Sequence, residues 1–193
     1  MISLRERIDL LAGDLTAKPM RISAYRDLPF AILRYDPAEE WALRREARLL
    51  ATRLAETGRE VRTISLAALL WRAIADCEGI EAVTESEREG GFLAAQGLVT
   101  SYLAQPVWRP LPDLLAEALA PLDPQRHVAF LTRAGALGPA IYHMSSLLDA
   151  MQGRSAVATV LFYPGSLEGT TGLRFMGLKD REAVGNYRVK IYG

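Results

Sequence analysis

Few residues of this chain have the types and the spacing that catalysis requires. Cys77 lies between Asp76 and Glu78, whose negative charges raise the pKa of a thiol and disfavour the reactive thiolate. The two histidines, His127 and His143, are scattered relative to Cys77 and give no spacing typical of metal ligands. We therefore predict no catalytic residue, no metal site and no cofactor.

Two segments come close to motifs of phosphate binding and hydrolysis but do not match them. In Gly172–Lys179 the lysine stands one position too late for a P-loop, and no serine or threonine follows it. In Gly165–Gly169 the serine stands one position too early for a nucleophile elbow. Neither segment predicts an active site.

The loop 132–138 is the segment whose position favours a ligand. Its small residues lie between a predicted strand and a predicted helix, where open α/β sheets bind ligands. A tight turn that needs little side-chain bulk explains the same residues. Binding of a nucleotide or another small ligand by this loop stays open as an alternative function.

The composition is that of a globular protein with a buried core. The chain has 193 residues, half of them hydrophobic, and its 23 basic and 23 acidic residues cancel. A disordered chain would carry a larger net charge, and a nucleic-acid coat would carry surplus positive charge. One cysteine excludes an internal disulfide, and no apolar run approaches the length of a membrane span. We expect a cytoplasmic protein without a membrane partner, and weak DNA binding only as an alternative accessory role.

The order of predicted strands and helices indicates an α/β fold. Short apolar runs predict strands, and the segments between them predict helices, which is typical of a parallel sheet covered on both faces. We predict one domain over residues 1–193, a three-layer, mostly parallel sheet similar to degenerate P-loop or Rossmann folds. The predicted strands are Phe30–Leu33, Val61–Leu66, His127–Thr132 and Ala158–Tyr163.

Two parts of the chain depart from this alternation. Residues 76–122 begin with an acidic stretch and are rich in proline later, and we predict a helical insertion there, too short to bury its own core. Gly172–Gly177 and Tyr187–Tyr192 have the pattern of strands around a charged connection at 179–182, and we predict a terminal hairpin or edge pair.

The zero net charge of the chain is the sum of three segments that differ in net charge. The net charge is +1 over residues 1–60, −4 over 61–122 and +3 over 123–193. An acidic helical middle and a mildly basic C-terminal sheet could meet different partners, which suits a bridging protein better than an enzyme.

Several segments of the last third carry a family resemblance. They are the strand Val128–Thr132 with Gly135, the helix with Ser145–Leu148, the strand end Phe162-Tyr163-Pro164-Gly165, the segment Leu173–Gly177, and Asn186-Tyr187-Arg188. Together they resemble the small BrxB-type component of BREX (bacteriophage exclusion) defence systems. A Tyr-Asp-Pro turn, an Arg/Glu-rich helix and a strand fit upstream in the same order, so the resemblance covers nearly the whole chain.

The resemblance implies a non-catalytic part of an antiviral complex. Its neighbours there include an alkaline-phosphatase-like component (PglZ), a DNA methyltransferase and a large ATPase, and the family offers no catalytic residues to carry over. We expect an adaptor that docks PglZ and links it to other BREX proteins. Support of the fold would explain the same tyrosines and arginines, with Arg174 and Arg188 pairing across the hairpin. The candidate partner contacts are Phe162, Tyr163, Pro164, Gly165, Arg174, Tyr187 and Arg188.

Overall fold

A computed structural model of the chain describes residues 2–23, 27–169, 172–178 and 187–193. The strands are β1 (Phe30–Tyr35), β2 (Glu60–Ser65), β3 (His127–Thr132), β4 (Ala158–Glu168), β5 (Gly172–Phe175) and β6 (Lys190–Tyr192). The helices are α1 (Leu4–Thr16), α2 (Glu40–Glu56), α3 (Leu66–Asp76), α4 (Gly79–Gly90), α5 (Phe92–Ala104), α6 (Leu111–Leu119), α7 (Gly138–Ile141) and α8 (Met144–Ala150).

The sheet is parallel in all but one of its strand pairs. Its order is β2-β3-β4-β1-β6, and β5 pairs antiparallel with the second half of β4. Helices cover both faces, since α3, α5, α6 and α8 bury apolar residues in one core, and α1 and α2 in the other. The predicted three-layer, mostly parallel α/β fold is confirmed.

Strand β1 shows why continuous apolar runs were the right signal for this sheet. All six of its residues are buried. Phe30 and Ile32 belong to the larger core and Ala31 and Leu33 to the smaller one, as the two-residue period of a strand requires. A strand buried on both faces needs apolar residues at successive positions instead of an alternating pattern.

The beginning and end of α2 follow the capping signals in the sequence. The Asp36 side chain accepts a hydrogen bond of 2.9 Å from the backbone N–H of Ala38, at the start of a 3₁₀ turn that leads into α2. Gly58 follows the helix with a φ of +81°, a conformation that costs glycine little. Between them Leu50 and Leu54 are fully buried, so the predicted Arg/Glu helix is confirmed.

The helical region between β2 and β3 is more central than an insertion would be. Tyr102 and Leu103 of α5, and Leu114 and Leu115 of α6, are fully buried in the larger core against the sheet. These two helices therefore form part of the covering layer. Helix α4 is more peripheral, because it has no fully buried residue and only its half-buried Val83 packs against the larger core.

The two C-terminal segments are strands, but they do not pair with each other. The sequence had predicted that they form a hairpin or edge pair. β5 forms its hairpin with β4, and β6 adds to the sheet beside β1 in parallel. The reason for the second pairing lies on α1, where Asp14 accepts hydrogen bonds from Lys190 and Tyr192 and so fixes β6 at that edge. The charged connection predicted at 179–182 and Asn186 lie outside the described residues.

Candidate functional site

The carboxyl ends of β1 and β3 lie where the chain leaves the sheet towards opposite faces. β1 leads into α2, whose Leu43 lies in the smaller core, and β3 leads into a 3₁₀ turn whose Ala134 and Leu137 lie in the larger core. Connections that diverge in this way open a crevice outside the strand ends, which is the usual ligand site of open α/β sheets.

A cavity of about 350 Å³ occupies this crevice between α2 and the sheet. Its floor is apolar, because Phe130 and Phe162 pack edge to face with ring centroids 5.2 Å apart. The wall on α2 carries the small residues Ala47 and Ala51, which leave room between helix and sheet. We call this cavity the α2 cleft; its lining is completed by Tyr35, Glu40, Leu43, Arg44, Arg48, Thr63, Thr132 and Arg133.

Three of the polar residues of the α2 cleft hold one another in place. Glu40 accepts a hydrogen bond of 2.5 Å from the Tyr35 hydroxyl and another of 2.7 Å from Nε of Arg44. The guanidinium of Arg44 also lies over the Trp41 ring, 4.7 Å from its centroid. Burial, together with the hydrogen bond to Glu40, raises the pKa of Tyr35, so this hydroxyl remains a donor at neutral pH.

Two further arginines of the α2 cleft have side chains whose charge is not paired within the described residues. The side chains of Arg48 and Arg133 are exposed and make no hydrogen bond or ion pair within the described residues. Arg133 also has a left-handed backbone, with φ 59° and ψ 36°, which is uncommon for a residue other than glycine. The cleft therefore combines an apolar floor with unpaired positive charge.

The loop 132–138, predicted as a possible ligand loop, contributes only part of this crevice. Thr132 and Arg133 line the α2 cleft, and Gly135 and Ala136 line an adjoining cavity of about 310 Å³. The apolar residues Ile141, Met144, Leu148 and Met151, at spacings of three, four and three, predict one helix after this loop. The structure has two short helices instead, because α7 has four residues and breaks before Tyr142, and α8 begins at Met144. Arg44, Arg48 and Thr63 were not predicted as part of a site, although the sequence shows several arginines in the Arg/Glu-rich helix that became α2.

The predicted partner contacts Phe162–Gly165 lie in the interior, in the middle of β4, since the strand continues to Glu168 and does not end at Pro164-Gly165 as the sequence predicted. Phe162 and Tyr163 are buried, and the Tyr163 ring packs edge to face on Phe175 and Tyr187. Gly165 is required by close approach, because a Cβ there would lie 2.1 Å from the carbonyl oxygen of Arg174. The Phe-Tyr-Pro-Gly segment thus supports the fold, and contact of these residues with a partner stays a prediction.

The remaining predicted contacts divide between the fold and the surface. Arg174 forms an ion pair with Glu168 on the neighbouring strand of the β4–β5 hairpin. Tyr187 is half-buried against Tyr163, whereas Arg188 is exposed. Of the seven candidate residues, Arg188 is therefore the one whose side chain a partner could reach most directly.

Two adjacent, strongly exposed apolar side chains lie at the turn between α4 and α5. All residues from 87 to 94 are exposed, and they include Phe92 at 67% and Leu93 at 77% of their full accessibility. Glu87 and Glu89 stand beside them. We call residues 87–94 the hairpin tip, and it presents apolar groups within an acidic surrounding.

Cys77 and His127, which the sequence analysis weighed as catalytic or metal-binding residues, lie in surroundings that do not activate them for catalysis. Burial raises the pKa of the Cys77 thiol, and the charges of Asp76 and Glu78 raise it further, as the sequence predicted. His127 lies 3.6 Å from Glu60 at the start of β3. Within the described ranges, His, Cys, Asp and Glu side chains do not form a group of three that could hold a metal ion.

Comparison with known proteins gives one match. A family model described as BREX protein BrxB matches residues 62–191, which is about two thirds of the chain. The chain belongs to the BrxB family. No curated protein matches it, and no solved structure does.

The BrxB match runs from β2 to β6 and confirms the resemblance predicted from the C-terminal segments. It makes the protein a component of a BREX defence system, and its description names no reaction. The hairpin tip, the β4 segment Phe162–Gly165 and Arg133 lie within the matched region, while Arg44 and Arg48 precede it. Among the described residues there is no helix of the length and apolar character needed to cross a bilayer.

Proposed function

We propose that this BrxB-family protein is a non-catalytic adaptor that docks the alkaline-phosphatase-like PglZ component and links it to other BREX proteins. The observation that carries the proposal is the hairpin tip, where the adjacent Phe92 and Leu93 are largely exposed to solvent at the end of a helix that has no fully buried residue. Adjacent exposed apolar side chains rimmed by polar residues are typical of a surface that a partner covers.

The helical hairpin formed by α4 and α5 has the features of a docking element. α4 contributes no buried residue, so the tip is held mainly by the packing of α5, whose Val99, Tyr102 and Leu103 reach the larger core. An aromatic and an aliphatic side chain at the centre of a polar rim is the usual composition of an interface hot spot. The rim here is supplied by Glu87 and Glu89.

The charge of this region indicates what kind of surface the partner presents. Residues 61–122 carry eight acidic and four basic residues, a net charge of −4. A basic surface with an apolar pocket is the complementary form, and association with it would weaken as salt is added. The C-terminal part, at +3 and with Arg188 exposed, provides a second surface of opposite sign for another BREX protein, such as the methyltransferase or the ATPase.

The test is the affinity of the purified protein for the PglZ-like protein of its own operon. We expect Phe92→Ser/Leu93→Ser to weaken binding at least about tenfold, because two central apolar contacts are lost. The matched control is Leu10→Ser/Leu49→Ser, which removes two apolar side chains of 58% and 52% exposure from α1 and α2. The control should bind within about twofold of wild type.

Two results would contradict the proposal, the first its adaptor role and the second the docking site assigned to it. One is no association with the PglZ-like protein under conditions in which the other BREX components do associate. The other is unchanged affinity of the Phe92→Ser/Leu93→Ser protein, which would move docking away from the hairpin tip. Equal urea midpoints for both double variants and the wild type show that binding, and not folding, was changed.

A further inference from the structure

We infer that the α2 cleft is a binding site for a small phosphorylated ligand of mononucleotide size. The inference rests on three features that meet in one cavity: unpaired arginines, a strained residue that carries one of them, and an apolar aromatic floor. It does not depend on the adaptor role, because the hairpin tip belongs to other elements.

The cationic side of the cleft is supplied by two elements that face each other. Arg44 and Arg48 are one turn apart on α2, and Arg133 stands at the end of β3. Glu40 is the acidic residue of the lining, and its carboxylate is already occupied by Tyr35 and Arg44. A surplus of positive charge therefore remains, and guanidinium groups bind phosphate oxygens in a planar, two-pronged manner.

The backbone of Arg133 adds an independent indication. The left-handed conformation of Arg133 is unfavourable for a non-glycine residue, and such residues cluster at binding sites. Glycine would adopt this conformation at no cost, and within the described residues the arginine side chain makes no bond that would justify keeping it. An arginine at this position is explained by a ligand that it contacts.

The rest of the cleft suits the body of a nucleotide. Phe130 and Phe162 form an apolar floor, and Thr63 and Thr132 supply hydroxyl groups beside it. The volume of about 350 Å³ lies within the range of small-molecule sites. Because the strand ends carry no glycine-rich loop, the phosphate would be held by side chains and not by a cradle of backbone amides. We therefore assign the site to a nucleoside monophosphate.

The experiment is calorimetric titration of the full chain with AMP, GMP, adenosine and inorganic phosphate. We expect at least one monophosphate to bind with a Kd between about 1 µM and 1 mM, and the unphosphorylated nucleoside at least about tenfold more weakly. Arg48→Ala and Arg133→Ala should each weaken binding at least about fivefold. Arg45→Ala is the matched control, since Arg45 is an exposed arginine of the same helix that pairs with Glu46 outside the cleft.

Arg133→Gly separates a binding role from a structural one. It should weaken binding like Arg133→Ala while leaving the urea midpoint unchanged or raised, because glycine relieves the left-handed strain. The inference would be overturned if titration with each of the four compounds gave no heat and none of them raised the melting temperature of the protein. Equal binding of adenosine and AMP, or equal loss in Arg45→Ala, would overturn the assignment of the phosphate to Arg48 and Arg133.

Discussion

Arg7 of α1 is a charged residue that the fold buries with too few partners. Its side chain is 3% exposed, and its Nε and Nη1 atoms have no hydrogen-bond partner among the residues that the structure describes. Burial lowers the pKa of Arg7, and the nearby positive charge of Arg34 lowers it further. The ion pair with Glu39, at 3.5 Å, is the compensation that the structure provides. A buried charge in this setting costs more in lost hydration than a single ion pair returns.

Arg7→Met should therefore raise the free energy of unfolding, by about 1 kcal/mol, because an apolar side chain of similar length removes the uncompensated charge. Urea denaturation measures the change, and Arg5→Met is the control, since Arg5 is exposed on the same helix and should alter stability by less than about 0.5 kcal/mol. A loss of more than about 1 kcal/mol in Arg7→Met would show that the Glu39 pair is a net stabiliser.

Asp14 is a buried charge of the opposite kind, because it is well supplied with partners. Burial alone would raise its pKa, but hydrogen bonds donated by Lys190 and Tyr192 and the charges of Lys190 and Arg21 outweigh burial and lower the pKa below the ordinary 3.8. A carboxylate with a lowered folded-state pKa contributes its full stability above the unfolded-state value and loses it as the pH falls through the folded-state value.

Asp14→Asn should cost about 2 kcal/mol of unfolding free energy at pH 7, since it removes a charge-assisted acceptor shared by α1 and β6. The difference from wild type should shrink as the pH falls below 3.8, because protonated aspartic acid resembles asparagine. Urea titrations from pH 7 to acid measure it, with Asp9→Asn of the exposed Arg53 pair as the control. A difference that stays constant with pH would mean that the Asp14 charge does not link the two elements.

At the scale of the elements, the β4–β5 hairpin depends on one glycine. The Cβ of an alanine at Gly165 would lie 2.1 Å from the Arg174 carbonyl oxygen and 2.9 Å from the Tyr163 ring, so the strands would have to separate. A sequence shows that a glycine follows Phe-Tyr-Pro, but the neighbouring backbone that requires it becomes visible only when the pairing with β5 is known.

Gly165→Ala should destabilise the protein by about 2 kcal/mol, as forced overpacking of a backbone contact does. Gly13→Ala provides the control, because Gly13 lies in α1 with open space around it and should gain up to about 1 kcal/mol from better helix propensity. Thermal or urea unfolding compares them. A neutral Gly165→Ala would mean that the hairpin adjusts without loss and that the glycine serves another purpose.

At the scale of the whole molecule, the fold was readable from sequence further than the site was. β1, β3 and β4 are continuous apolar runs because the sheet is buried on both faces, so their composition alone identified them. Strand order has no such signal, and it decides that β6 joins β1 and that Arg133 and Arg48 line the same cavity. The sequence predicts a possible ligand loop at 132–138, but the other wall of the α2 cleft comes from a helix about 90 residues earlier in the chain. The hairpin tip was hidden for the opposite reason, since Phe92 and Leu93 have the composition of core residues.

The position of β1 in the sheet has a consequence during synthesis. Phe30 pairs with Thr159 and Ala31 with Lys190, so both neighbours of this strand leave the ribosome about 130 residues or more after it. At about 5–20 residues per second, β1 waits roughly 10 s for its first partner. Throughout that interval six residues destined for the interior have both strand edges open, and α1 and α2 can shelter one face only. The nascent chain is therefore most vulnerable to aggregation between the emergence of β1 and that of β4, whatever the stability of the finished fold.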